Sequence, residues 1–114
     1  MSGAMEGVAH WAEDANSTNV ALFAFAKVVS GNKLDLCGAA GVSIGIFTEV
    51  NGTSGPATVQ LNGVGKITLA STLAAGVQVE SDASGHAVAH SSGVVAGRLL
   101  TGGNSGDVVS ILLG

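Results

Sequence analysis

Three histidines, one cysteine and eight carboxylates are the side chains of this 114-residue chain best suited to acid–base, nucleophilic or metal chemistry. His86 and His90 stand four apart. On a helix that spacing suits one metal ion; on a strand it only puts both residues on one face. No nearby cysteine or acidic pair completes a site, so the two read as a histidine row on an exposed strand. His10 has no partner nearby in sequence. Cys37 is the sole cysteine, so no intrachain disulfide forms. A nucleophilic thiol needs a base close by, and none is local; Cys37 reads as a small buried hydrophobe. Asp35, Glu49, Glu80, Asp82 and Asp107 lie mostly at or beside turns, where carboxylates cap loops or face water. A calcium loop needs several carboxylates at alternate positions, and "ESDASG" offers only Glu80 and Asp82. "GVGKIT" has Gln60 and Ile67 where a phosphate-binding loop needs glycine and a hydroxyl residue. These residues predict no catalytic, metal or cofactor site, and no enzyme.

The composition points the same way. Charged residues are 11% of the chain, against about 25% in an ordinary domain. Hydrophobic residues are 46% but aromatics only 4%, so the apolar content is mostly alanine, valine, leucine and isoleucine. So sparse a surface charge does little to keep copies apart. The net charge is −4, and Lys27, Lys33, Lys66 and Arg98 are scattered. Nucleic-acid binding needs clustered cations, so none is expected. No apolar run reaches the roughly 18 residues of a membrane span, and "MSGAMEGVAHWAEDANSTN" lacks the basic flank and apolar stretch of a signal peptide. Asn16-Ser17-Thr18 and Asn51-Gly52-Thr53 match a glycosylation sequon but read as turns.

From Val20 the chain reads as strands. Val20–Val29, Lys33–Cys37, Ile44–Val50, "ATVQLNG" and Lys66–Leu69 are divided by turn clusters such as "SGNK" and "NGTSGP". "STLAAG" is a loop or one helical turn. "VQVESDASGHAVAHSS" is a hairpin turning at "SDASG", with no lysine at its tip, which disfavours a biotin- or lipoyl-carrier barrel. The pattern predicts an all-β barrel or sandwich of about eight or nine short strands in one domain, residues 20–114. Residues 1–19 form an N-terminal arm, with a helical turn possible around Met5–Ala12.

Gly41–Gly63 and Gly93–Gly114 echo each other. Each opens on Gly-Val, repeats glycine four residues on, turns through Ser-Gly and closes on an apolar strand and a glycine. The offset is 52 at the start and 51 at the end (41 to 93, 63 to 114), so the strand after the turn could be shifted by one and swap faces. A duplication predicts two similar β units, with the last strand a wall of the body.

"ATVQLNG", "VESDASGHAV", "AGRLL" and "GDVVSILLG" occur here in the order found in a family of small tailed-bacteriophage virion proteins. Residues 41–114 resemble these capsid decoration, cement and head-fibre-like proteins; residues 20–40 fit loosely and residues 1–19 not at all. The resemblance implies a structural protein on the outer face of an icosahedral head, made in the host cytoplasm. Its partners would be the major capsid protein and itself, as a small symmetric oligomer, a trimer before a dimer. A monomeric β-barrel binding or carrier module and the base of a trimeric head fibre are the alternatives. Two contact regions follow: Met5, Val8, His10 and Trp11 of the arm as capsid anchors, and the apolar wall of Val108, Val109, Ile111, Leu112 and Leu113, partly used between copies.

Overall fold

The computed structural model describes residues 10–14, 21–29, 33–50 and 56–113. They form ten strands: β1 (His10–Asp14), β2 (Phe25–Val29), β3 (Lys33–Leu36), β4 (Gly45–Glu49), β5 (Pro56–Gln60), β6 (Val64–Thr68), β7 (Gln78–Ser81), β8 (Ala87–Ala89), β9 (Gly97–Leu99) and β10 (Val108–Leu112). Sheet A runs β1-β5-β4-β2-β3 and sheet B β6-β10-β9-β7-β8. All pairings between these strands are antiparallel. The all-β class holds, as two curled sheets rather than one closed barrel. In sheet A the edge strands β1 and β3 approach each other; in sheet B the edges meet at a single bridge, Leu69 to Ala87.

The sequence-based reading stops short at the N-terminus. His10–Asp14 is a strand of the β body, not part of a separate arm or a helical turn, and its register runs from His10 opposite Gln60 to Asp14 opposite Pro56. Without β1, β5 would present an unpaired edge. Backbone pairing at such an edge requires no alternation of side chains, so the sequence carries no period-two signal there. The predicted strand over Val20–Val29 is also shorter, because Phe23 adopts φ +59° and turns the chain before β2 begins. The "STLAAG" stretch is a loop, tied by reciprocal bonds of 3.0 Å between Leu73 and Gly103.

The echo in the sequence is one visible part of a larger repeat. Both sheets have the same order: first strand, fifth, fourth, second, third. The match continues rung by rung. Phe25 faces Ile46 and Ala26 faces Gly45, as Gln78 faces Arg98 and Val79 faces Gly97. Phe47 faces Val59 as Leu99 faces Ile111. Bonds outside the ladders repeat too: Phe23 N–H to Phe47 O and Gly76 N–H to Leu99 O, Cys37 N–H to Phe25 O and His90 N–H to Gln78 O. We call the two halves unit 1 (β1–β5) and unit 2 (β6–β10). β5 and β10 keep the 52-residue offset of β4 and β9 (45 to 97, 60 to 112), so no face swaps.

The repeated glycine has a physical cause. A Cβ on Gly97 would lie 2.8 Å from the Leu112 carbonyl oxygen. A Cβ on Gly45 would fall on the carbonyl oxygen of Gln60, the rung equivalent of Leu112. Each unit therefore needs a bare Cα where its fourth strand crosses close to its fifth.

The units stack in series. Ala26, Leu34, Phe47, Ala57 and Val59 are fully buried on the inner face of sheet A. Their rung equivalents Val79, Ala87, Leu99, Val109 and Ile111 line the inner face of sheet B. That second cluster also takes in Phe25, Cys37 and Ile46 from sheet A. The outer face of unit 1 thus plugs the inner face of unit 2. Backbone bonds tie the seam: Thr68 N–H to Phe23 O at 2.9 Å, Phe25 N–H to Gly85 O at 2.7 Å and Ala40 N–H to Ser81 O at 2.8 Å. The Ser81 hydroxyl donates to Cys37 O at 3.2 Å. Two non-glycine residues with left-handed backbones, Phe23 and Ala40 (φ +57°), both bond across this seam.

Candidate interaction surface

β10 lies between β6 and β9, so this strand is a central member of the wall formed by sheet B. Its side chains alternate as a central strand demands. Val109 and Ile111 are buried in the chain's own core and Leu113 packs partly against it. Of the five residues proposed from sequence as an apolar wall, only Val108 (46% exposed) and Leu112 (40% exposed) face outward. A run of apolar letters hides this alternation, because both faces of the strand carry them.

Outward positions of neighbouring strands extend this surface. One rung row crosses sheet B as Val64, Leu112, Arg98 and Gln78, and Val64 is 57% exposed. Lys66 stands next along β6 and donates to the Ser110 hydroxyl at 3.1 Å. Val95 and Leu100 add exposed apolar area. Beside this row an open cleft of about 240 Å³ is lined by Val95, Arg98, Leu112 and Leu113, with Gln78 at its side. The Arg98 guanidinium donates to Gly76 O at 2.8 Å, which holds its side chain along this face. Sequence reading missed Arg98, Val64 and Val95. The signal of Val64 and Arg98 exists only in the register, which sets Leu112 beside Val64, 48 positions away, and beside Arg98, 14 away.

The remaining candidates fall elsewhere. Met5 and Val8 lie outside the described residues. His10 and Trp11 belong to β1, with Trp11 opposite Val59. His86 is half-buried and His90 exposed, its Nε2 2.9 Å from Gly93 O. Cys37 is fully buried. Among the described residues no three His, Cys, Asp or Glu side chains gather as a metal site. Asp82 caps its own hairpin, accepting from the Ser84 and His86 amides at 2.8 Å each. Glu80, almost buried, accepts from Ser91 N–H at 2.8 Å and Gly93 N–H at 3.0 Å and so clamps the 91–93 loop. The Ser91 bond above all holds its carboxyl below the usual range; desolvation opposes this, and the Gly93 bond and His90 reinforce it. Asp82 and Asp107 thus serve turns as the sequence suggested, whereas Asp35, Glu49 and Glu80 stand on strands β3, β4 and β7.

No protein-family model and no curated protein matches the sequence. The fold is similar to a phage head-fibre base. The crystal structure of the head fiber gp8.5 N base in bacteriophage phi29 superposes with a TM-score of 0.78 at 12% identity, covering 93% of this chain and 95% of that one. At that identity the likeness is one of fold.

Proposed function

We propose that this chain is a structural protein of a phage virion, carried on the outer surface of the head. The observation that carries the reading is the fold likeness to a head-fibre base over nearly the whole of both chains. The order of the motifs in residues 41–114, which resembles that of small phage virion proteins, supports the same class. That likeness favours a base module for a head fibre over a lattice-covering decoration protein. In either case the chain would grip the major capsid protein, with the segment ahead of β1, including Met5 and Val8, as the capsid-facing part, and would act as a homo-oligomer. Repetition over many equivalent sites makes even modest contacts effective. Such a role needs a stiff, chemically inert body, and two stacked sheets tied by backbone bonds suit it.

The test is to mix purified protein with phage heads lacking it and follow co-sedimentation and cryo-EM density. Binding at symmetry-related outer sites is expected, with heads more resistant to heat or chelation. Scattered or saturating occupancy would separate a fibre base from a decoration protein. Heads that never acquire the protein would refute the head-surface reading.

A further inference from the structure

The repeat identifies what the cleft on unit 2 is built to receive. Its equivalent on unit 1 is covered. There Phe25, Ile46 and Gln60, the counterparts of Gln78, Arg98 and Leu112, are buried. The segment leading into unit 2 lies over them. Gln60 Nε2 donates to Asn62 O at 2.8 Å and Val64 O at 2.9 Å. A Cβ on Gly65 would sit 3.1 Å from Gln60 Oε1 and 3.5 Å from Ile46 Cδ1. Thr68, at the end of β6, bonds to Phe23 O. In unit 2 the counterpart of Phe23 is Gly76, whose carbonyl is held instead by Arg98.

The strand equivalent to β6 is β1. By the shared register, His10 stands for Val64, Trp11 for Gly65 and Asp14 for Thr68. We infer that the outer face of unit 2 receives β1 of a second copy, repeating between chains the packing of unit 2 on unit 1 within the chain. Charge supports this occupant. Residues 1–19 hold Glu6, Glu13 and Asp14 and no lysine or arginine, whereas the receiving face presents Lys66 and Arg98. The nearest carboxylate in sequence, Asp107, is turned into its own loop, accepting from Asn104 N–H at 2.8 Å. Equivalence of backbone register brings Asp14 level with the Gly76–Arg98 position and Trp11 level with the Arg98–Leu112 position. The contact is heterologous, one surface on each copy, so it closes only as a ring. It names the self-contact of the oligomer proposed above, and rests on that reading only for its biological setting.

Trp11 is the only tryptophan, so its fluorescence reports the contact. The whole chain should show concentration-dependent sedimentation and a matching change in tryptophan emission, both weakened by salt. Arg98→Glu and Leu112→Asp should each raise the midpoint at least about ten-fold with unchanged far-UV circular dichroism. If either unfolds, Val64→Lys carries the test on the same row. Mixing Arg98→Glu with an Asp14→Arg variant, each monomeric alone, should restore association. A wild-type chain that stays monomeric at all accessible concentrations overturns the inference. So does association untouched by face variants that fold, or a charge-swapped mixture that stays apart. Protein that associates through this face yet ignores phage heads would refute the head-surface reading alone.

Discussion

Gly45→Ala should be the most damaging single-methyl change among the described glycines, and a graded glycine series tests why. The new Cβ falls on the Gln60 carbonyl oxygen and 2.9 Å from Val59 Cγ1. A side-chain tip can rotate aside, but the carbonyl belongs to the β5 ladder, so the strands must part. Overpacking alone costs about 1–3 kcal/mol, and each lost rung adds about 1 kcal/mol net. Two disturbed rungs bring the total to about 4 kcal/mol, a large share of the roughly 5–15 kcal/mol that holds a domain folded. Gly97→Ala meets the same geometry more loosely, 2.8 Å from Leu112 O and from the far end of the Ile111 side chain, and should cost about 2 kcal/mol. Gly76→Ala has open space but φ +88°, a strain of about 1–2 kcal/mol. Gly38→Ala has neither obstacle and should be neutral or raise stability by up to about 1 kcal/mol. At about 4 °C per kcal/mol for a domain of this size, Tm should fall by about 16 °C for Gly45→Ala and about 8 °C for Gly97→Ala. Thermal unfolding followed by far-UV circular dichroism measures the series at a concentration where the oligomer is absent. A Gly45→Ala protein within two or three degrees (roughly 0.5–1 kcal/mol) of wild type would refute the close-approach reasoning, as would Gly38→Ala ranking worst.

Four further outcomes rest on the same packing and hydrogen bonds. Gly93→Ala should destabilise, because its Cβ would press on Ala40, 2.7 Å from the Ala40 Cα, across the seam; Ala40→Gly alone should stabilise by about 0.5–1 kcal/mol through relief of its left-handed backbone, and the double variant should recover part of the loss in a thermal double-mutant cycle. Glu80 has a lowered folded pKa, so its contribution is complete above the unfolded carboxylate value, near 4.5, and is lost as pH falls through the folded value; Glu80→Gln should flatten that acid limb of a Tm-against-pH profile. Glu80→Ala should speed hydrogen exchange at the Ser91 and Gly93 amides, and an unchanged rate would argue against the clamp. Cys37 is fully buried, so a thiol reagent should label it only through opening of the fold, at a rate that follows Gly97→Ala destabilisation.

The sequence by itself determined the β class, the hairpin through Ser81–Gly85, the main strand positions and the existence of a repeat. These are local properties: β-branched residues, turn clusters and alternation act within a few residues. It also determined the repeat's spacing, because the glycine needed where the fourth and fifth strands cross recurs in both units as Gly45 and Gly97. Tertiary structure decided what the repeat does. Phe25 and Gln78 occupy the same rung, as do Ile46 and Arg98, and the sequence shows only that they differ. The apolar members are buried where unit 2 covers unit 1, and the polar members are exposed on the outward face of unit 2. Strand β1 was invisible for the same reason, since a backbone edge recruits a partner without regard to its side-chain pattern. Burial and pairing depend on which strands lie side by side, and that adjacency is set by the order of the sheets, not by neighbours along the chain.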